Sequence, residues 1–257
     1  MAKEKTEEIQ KIGETFDLLV GYKDGEGEIH TEVEIREIKG SDEEALAEGN
    51  IRNNLGKIVT ELLYNCVERV GTITEGEVGE RKWRKIMDSL YIGDRDLILL
   101  ELRKLTYGNE MEMQGGCTKC GADLMVDIEM DEIKIEQPAE DVEEIPFTLP
   151  RGYRDEDGQI HKKGAITLPR GKDQQVLFNV MRKNPGRANT MLLTKTVTRL
   201  GNTKIKAKTF REMGKMDREF LLEKVQESKF GPDFNWDLMC PECGSDITVG
   251  INPINFI

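Results

Sequence analysis

Much of this chain occurs twice. Phe16–His30 reads FDLLVGYKDGEGEIH and Phe147–His161 reads FTLPRGYRDEDGQIH, with eight of fifteen positions identical at an offset of 131. Arg52–Gly71 and Arg182–Gly201 agree at nine of twenty positions at an offset of 130. A third block opens at Asp94-Arg95-Asp96 and ends in CTKCGAD; its counterpart opens at Asp217-Arg218-Glu219 and ends in CPECGSD, at an offset of 123. Three blocks in one order, with small changes of offset, point to a tandem duplication. The shorter last offset places seven extra residues of the first copy between Gly71 and Asp94.

The chain therefore divides into a polar N-terminal tail (1–15), a first repeat (16–128), an acidic linker (129–146) and a second repeat (147–257). The linker carries DEIKIEQPAEDVEEI, acidic and broken by one proline. Each repeat reads as a hairpin, two or three helices and a cysteine hairpin, which makes the fold class α+β. In the first hairpin, Ile29, Thr31, Val33 and Ile35 alternate onto one face, and Asp24-Gly25 supplies the positive φ of a tight turn. Ser41, with Glu44 three residues on, forms a capping box for a short helix ending near Gly49. Ile58, Val59, Leu62, Leu63, Cys66, Val67 and Val70 fall at helical spacing, which predicts a helix over 55–70 stopped by Gly71. Another helix follows Asp94, with Arg103 and Lys104 in its last turn and Gly108 as its stop.

The strongest chemical signal is C-x-x-C-G, present at Cys117/Cys120 and again at Cys240/Cys243. Such a knuckle turns two sulfurs toward one point, and the glycine after it permits the positive φ that closes the turn. Two knuckles give four thiolates, the ligand set of a tetrahedral structural Zn2+. The 120 residues from Cys120 to Cys240 are far more than a compact zinc ribbon allows. The repeat resolves this if each copy contributes half of one zinc-ribbon-like site. Two separate redox dithiols, or a four-thiolate iron–sulfur cluster, are the alternatives. Four protein thiolates leave no open position for catalysis at the metal.

The formal net charge is −12, which opposes contact with phosphate backbones and anionic membranes. The start, MAKEKTEEIQKIGET, is polar, and no run of about eighteen apolar residues suggests a span. The expectation is a protein that folds in the cytoplasm. Cys66 reads as a core residue, replaced by Thr196 in the second copy. His30 and His161 occupy matching positions, where each closes a hairpin with a local hydrogen bond; a third pair of metal ligands is the sharper reading. Asp94, Asp96, Asp217 and Glu219 read as caps and helix-dipole partners. Arg187, Arg199, Lys204, Lys206 and Lys208 make one stretch locally basic, either a solvated face or a docking surface for an acidic partner. No phosphate loop, nucleophile elbow or dinucleotide fingerprint occurs.

The segment GDRDLILLELRKLTYG followed by CTKCG, together with IKGSDEEAL and KIVTELLYNCVERVG, resembles the baseplate hub assembly family of T-even-like contractile phages. Related proteins accompany contractile injection systems. The resemblance implies a non-enzymatic structural or assembly role at the baseplate hub. It implies other baseplate, tube or spike proteins as partners, and a place in the cytoplasm during assembly or in the mature particle. Two similar halves in a trimer would present six similar surfaces, suited to the junction of a six-fold tube with a three-fold spike. The competing reading is a zinc-ribbon nucleic-acid-binding accessory protein, which the charge disfavours. A thiol redox enzyme ranks behind both.

Overall fold

The computed structural model of the protein describes residues 13–49 and 51–251. Residues 1–12 of the expected tail and 252–257 of the expected second repeat lie outside the described residues. The N-terminal half runs β1 (Gly13–Lys23), β2 (Ile29–Arg36), α1 (Gly40–Leu46), α2 (Leu55–Cys66), β3 (Val67–Val70), β4 (Ile73–Thr74), α3 (Glu75–Val78), α4 (Glu80–Ser89), α5 (Ile92–Tyr107), β5 (Glu110–Gly116) and β6 (Asp123–Glu129). After a 3-10 turn at Met130–Glu132 and the short β7 (Ile135–Glu136), the C-terminal half follows. It runs β8 (Ile145–Arg154), β9 (Ile160–Ile166), α6 (Gly171–Met181), α7 (Pro185–Thr196), β10 (Val197–Leu200), α8 (Ala207–Glu212), α9 (Lys215–Glu227), β11 (Gly231–Pro232), β12 (Asn235–Met239) and β13 (Asp246–Gly250).

The class is mixed α and β, with small antiparallel sheets β1-β2-β3-β4 and β8-β9-β10 and two-stranded hairpins β5-β6 and β12-β13. Each half has its own apolar core. In the first, Val33, Ile35, Leu62, Leu63 and Trp83 are buried together; in the second, Ile166, Leu193, Leu200, Phe210 and Leu221 are. The two cysteine hairpins share a third core, built on Leu124, Val126, Ile128 and Ile247. The acidic 129–146 stretch is partly structured: Ile133 and Val142 are buried, and β7 pairs with β11.

Several local expectations are corrected. The helix over 55–70 ends at Cys66, and Val67–Val70 is strand β3, paired with β2. Val67 and Val70 fit a helical stripe by spacing, but as β-branched residues they bury as well from a strand. The first hairpin takes its positive φ at Gly27 (+91°), not Gly25, and the second hairpin matches it at Gly158 (+81°). The turn belongs to Asp24, whose carboxylate accepts the Glu26 and Glu28 amides at 2.9 Å; Asp155 does the same for Asp157 and Gln159. Ser41 is not the cap of α1. Lys39 is the N-cap, Asp42 at the third helical position accepts its amide at 2.8 Å, and the helix stops at Leu46. Val33 and Ile35 bury as expected, but Ile29 is 58% exposed and His30 packs inward instead. The change of face falls where the β1-β2 register shifts, between Asp17 and Tyr22 of β1.

Candidate metal centre and its supports

β5-β6 and β12-β13 alternate in burial along each strand, with the inward positions mostly apolar and the outward ones polar except at Met125 and Met239. Leu124, Val126 and Ile128 of β6 and Ile247 of β13 therefore face one another across a shared apolar layer. At the end of each hairpin the chain makes its knuckle. The Cys117 amide donates to the Ala122 carbonyl and the Gly121 amide to the Cys117 carbonyl, both at 2.9 Å. In the other hairpin Cys240 donates to Ser245 at 2.9 Å and Gly244 to Cys240 at 2.8 Å. Gly121 (φ +75°) and Gly244 (φ +68°) occupy the left-handed region that a side chain would strain.

The structure brings all four knuckle cysteines together, with their Sγ atoms within 4.8 Å of one another. Cys117 Sγ lies 3.8 Å from Cys243 Sγ, and Cys120 Sγ lies 3.8 Å from Cys240 Sγ. These are not disulfides, which need about 2.0 Å. Four sulfurs each about 2.3 Å from a central zinc form a tetrahedron with edges of about 3.8 Å, so the donor set fits that ion. The two 3.8 Å contacts exchange under a local two-fold that swaps the knuckles. Cys117 and Cys240 are buried and Cys120 and Cys243 exposed, so the cluster sits at the rim of the hairpin layer. The amides of Cys120 and Lys119 lower Cys117, and the Ser245 hydroxyl and amide bring Cys243 down to about 6. These two shifts favour thiolate, the form that binds metal, while the neighbouring cysteines push Cys120 the other way, up to about 12.

Of the other singled-out residues, His30 is gathered with Asp24 and Glu28 so that their ligand atoms lie within 4.8 Å of one another, close enough to hold an ion. Cys66 is fully buried, and burial pushes its thiol up to about 12. His30 and His161 each reach the aspartate of their own turn, Asp24 at 3.4 Å and Asp155 at 2.7 Å. Each imidazole also lies over a positive-φ glycine, Gly71 or Gly201, where any Cβ would strike the ring. Arg199 and Lys208 of the basic stretch pair with Glu144 and Glu156.

Asp94 and Asp217 do more than was expected of helix-terminal acids. The bulge in β1 turns three amides out of the ladder, and Asp94 accepts all of them: Leu19 at 2.8 Å, Val20 at 3.1 Å and Gly21 at 2.9 Å. Asp217 accepts Arg151 at 2.9 Å and Gly152 at 3.1 Å from the matching bulge in β8. Pro150, at the place of Leu19, has no N–H to offer. Burial pushes the Asp94 carboxyl up, against the pull of those amides. Arg95 donates to the Met87 carbonyl (2.7 Å) and Thr60 Oγ1 (2.9 Å); Arg218 donates to the Phe210 carbonyl (2.6 Å) and Thr190 Oγ1 (3.0 Å). Sequence showed the Asp-Arg pair repeated, but not that it ties each long helix to a distant bulge and loop.

These features define an α+β protein whose two halves meet at a four-cysteine cluster. The family model described as T4 bacteriophage base plate protein matches residues 12–163, more than half of the chain. The chain belongs to that baseplate family. The match takes in Cys117 and Cys120 and ends before Cys240 and Cys243. No curated protein and no solved structure matches the chain. Among the described residues, no helix is long and apolar enough to cross a membrane.

Proposed function

We propose that this baseplate protein is a non-enzymatic structural or assembly component of the baseplate hub in a contractile tail-like particle. It is built by tandem duplication and clamped by one structural zinc. The observation that carries the zinc is the four-sulfur cluster, all within 4.8 Å of one another and with two sulfur–sulfur contacts of 3.8 Å. Cys117, Cys120, Cys240 and Cys243 would hold the ion, and its chemistry there is cross-linking. The ion joins two hairpins that are far apart in sequence, and four thiolates exclude a substrate or water from it.

The duplication reading, with units 16–128 and 147–257 about a linker 129–146, is supported by matched interactions. Asp94 and Asp217, Arg95 and Arg218, Asp24 and Asp155, and the helix caps Asn54 and Asn184 bond to equivalent partners at the same offsets. The hub role and the partnership with tube or spike proteins rest on the family and on the sequence resemblance.

Elemental analysis of the purified chain should find one zinc per chain. Iron with visible absorbance, or four titratable thiols without metal, would overturn the zinc. Cys117→Ser and Cys240→Ser should cost the same, because both sulfurs are buried in one site. Each should lose much of a metal contribution on the order of 10 kcal/mol, read as a drop in melting temperature that chelator imposes on the wild type too. Electron microscopy of intact particles tests the role: density for this chain at the base of the tube supports a hub component. Its absence from mature particles leaves assembly alone.

A further inference from the structure

α6 and α1 hold matching places in the two halves, but only α6 crosses from its own half to the other. It lies over α2, α4 and α5 of the N-terminal half. Arg170 donates to the Ser89 carbonyl at 2.6 Å and to the Tyr91 hydroxyl at 2.7 Å, and the Gly171 amide donates to the Leu90 carbonyl at 3.0 Å. Gln175 Nε2 donates to Asp88 Oδ1 at 2.7 Å and to Thr60 Oγ1 at 2.9 Å, while Asn54 Nδ2 donates to the Gln175 carbonyl at 2.9 Å. The approach is so close that a Cβ on Gly56 would sit 2.5 Å from the Gln175 nitrogen. The inserted element is thus Arg170-Gly171 through Gln175. The receiving surface is Asn54, Gly56, Thr60, Asp88 and Ser89.

Both elements exist a second time, apart from each other. The counterpart of the inserted element is Lys39-Gly40 through Glu44, at the offset of 131; Lys39, Gly40 and Glu44 are exposed, and α1 packs on α2 of its own half. The counterpart of the receiving surface is Asn184, Gly186, Thr190, Arg211 and Glu212. The offset is 130 for the first three and 123 for the last two. The Met87 and Phe210 carbonyls, bound by Arg95 and Arg218, confirm the register at that point. Asn184, Gly186, Arg211 and Glu212 are exposed. At Gly186 a Cβ would meet only Asn184 Oδ1, at 3.5 Å, among the described residues. A glycine in a helix with nothing pressing on it costs stability unless something approaches it closely.

The charges have changed on both sides at one of these pairs and on one side at the other. Where Gln175 meets Asp88 inside the chain, the free surfaces would set Glu44 against Arg211. Where Arg170 meets Ser89, they would set Lys39 against Glu212. We propose that copies of this chain associate head to tail, with α1 of one copy seated on the Asn184, Gly186 and Arg211 surface of the next. That contact repeats between chains the one made between halves. It is heterologous, so it continues from copy to copy until a ring closes or a filament grows. The inference rests on the correspondence between the halves, and neither on the metal nor on the hub role.

Sedimentation velocity of the full chain from about 1 to about 100 µM, the range of a modest interface, tests it. The mass should grow with concentration and pass that of a dimer. Glu44→Arg and Arg211→Glu should each weaken association at least about tenfold by placing like charges opposite each other. The combined E44R/R211E variant should restore it. Gly186→Trp, which has open space on a single chain, should block association without lowering the melting temperature. Zinc content measured on the same samples separates this inference from the metal reading. A wild type that stays monomeric, a dimer that grows no further, or an oligomer indifferent to the charge swaps would each overturn it. So would a chain that stays monomeric and uses Arg211 to hold a different protein.

Discussion

The N-terminal half encloses its long helix and the C-terminal half does not. Arg95 and Arg218 bind a carbonyl and a threonine hydroxyl in the same way, yet Arg95 is fully buried and Arg218 half-buried. The cause is α6, whose Gly171 lies so close to the Arg95 guanidinium that a side chain there would collide with it. Tyr107 and Phe230 end α5 and follow α9 at matching positions. Tyr107 is 48% exposed, while Phe230 is buried edge-on against Tyr91. Repeated sequence thus gives repeated hydrogen bonds, while burial depends on how the halves dock. The two 3.8 Å sulfur contacts exchange when the knuckles are swapped, but the helices are not matched in this way: α6 packs on α2 of the other half, while α1 packs on α2 of its own.

If docking sets the difference, equivalent substitutions should differ in cost. Arg95→Ala should lose about 4 kcal/mol, because it empties a buried site and strips two hydrogen bonds. Arg218→Ala should lose about 1 kcal/mol, and denaturant titration of both variants would show the gap. Equal costs would break the comparison. Asp94→Ala orphans three amides and Asp217→Ala two, so the first should cost about 3 kcal/mol and the second about 2 kcal/mol by the same measurement.

Acid should separate the hairpins. His161 beside Asp155, helped by the Gln159 and Asp157 amides, holds that carboxyl below its ordinary value. A lowered carboxylate contributes stability that is complete above its unfolded pKa and lost as pH falls through the folded one. Between about pH 5 and about pH 3 the melting temperature should fall less in Asp155→Asn than in the wild type. Asp24→Asn should blunt the fall by a smaller amount, since His30 stands farther from its aspartate, at 3.4 Å against 2.7 Å. The smallest effect belongs to Cys66→Thr, which copies Thr196. The new hydroxyl can donate to the Leu62 carbonyl as Thr196 does to Leu192 at 2.9 Å. Stability should move by less than about 1 kcal/mol, and the metal content should stay unchanged.

The opening hairpin and closing cysteine hairpin of each half, the helix after Asp94 and the meeting of the four cysteines were legible in the sequence, but the two or three helices expected between the hairpins are five in the first half and four in the second among the described residues. The legible features depend on local pattern and on a repeat that any alignment of the chain with itself reveals. The errors were local too. Val67–Val70 satisfied a helical stripe and a strand equally, and only pairing with β2 decided between them. Gly25 and Gly27 both offered a turn, and the Asp24 carboxylate selected Gly27 by binding the amides around it.

The sequence by itself determined which side chains could act: four thiolates in two knuckles, and an aspartate and an arginine at the head of each long helix. Tertiary structure decided what each of them faces. Asp94 became an acceptor for a bulge because strand β1 bends 73 to 75 residues upstream, and no spacing rule reaches that far. Arg95 lost its water because α6, arriving from the other half, covers it. Its counterpart Arg218 kept some, since burial is a property of the surface that arrives and not of the residue that receives it.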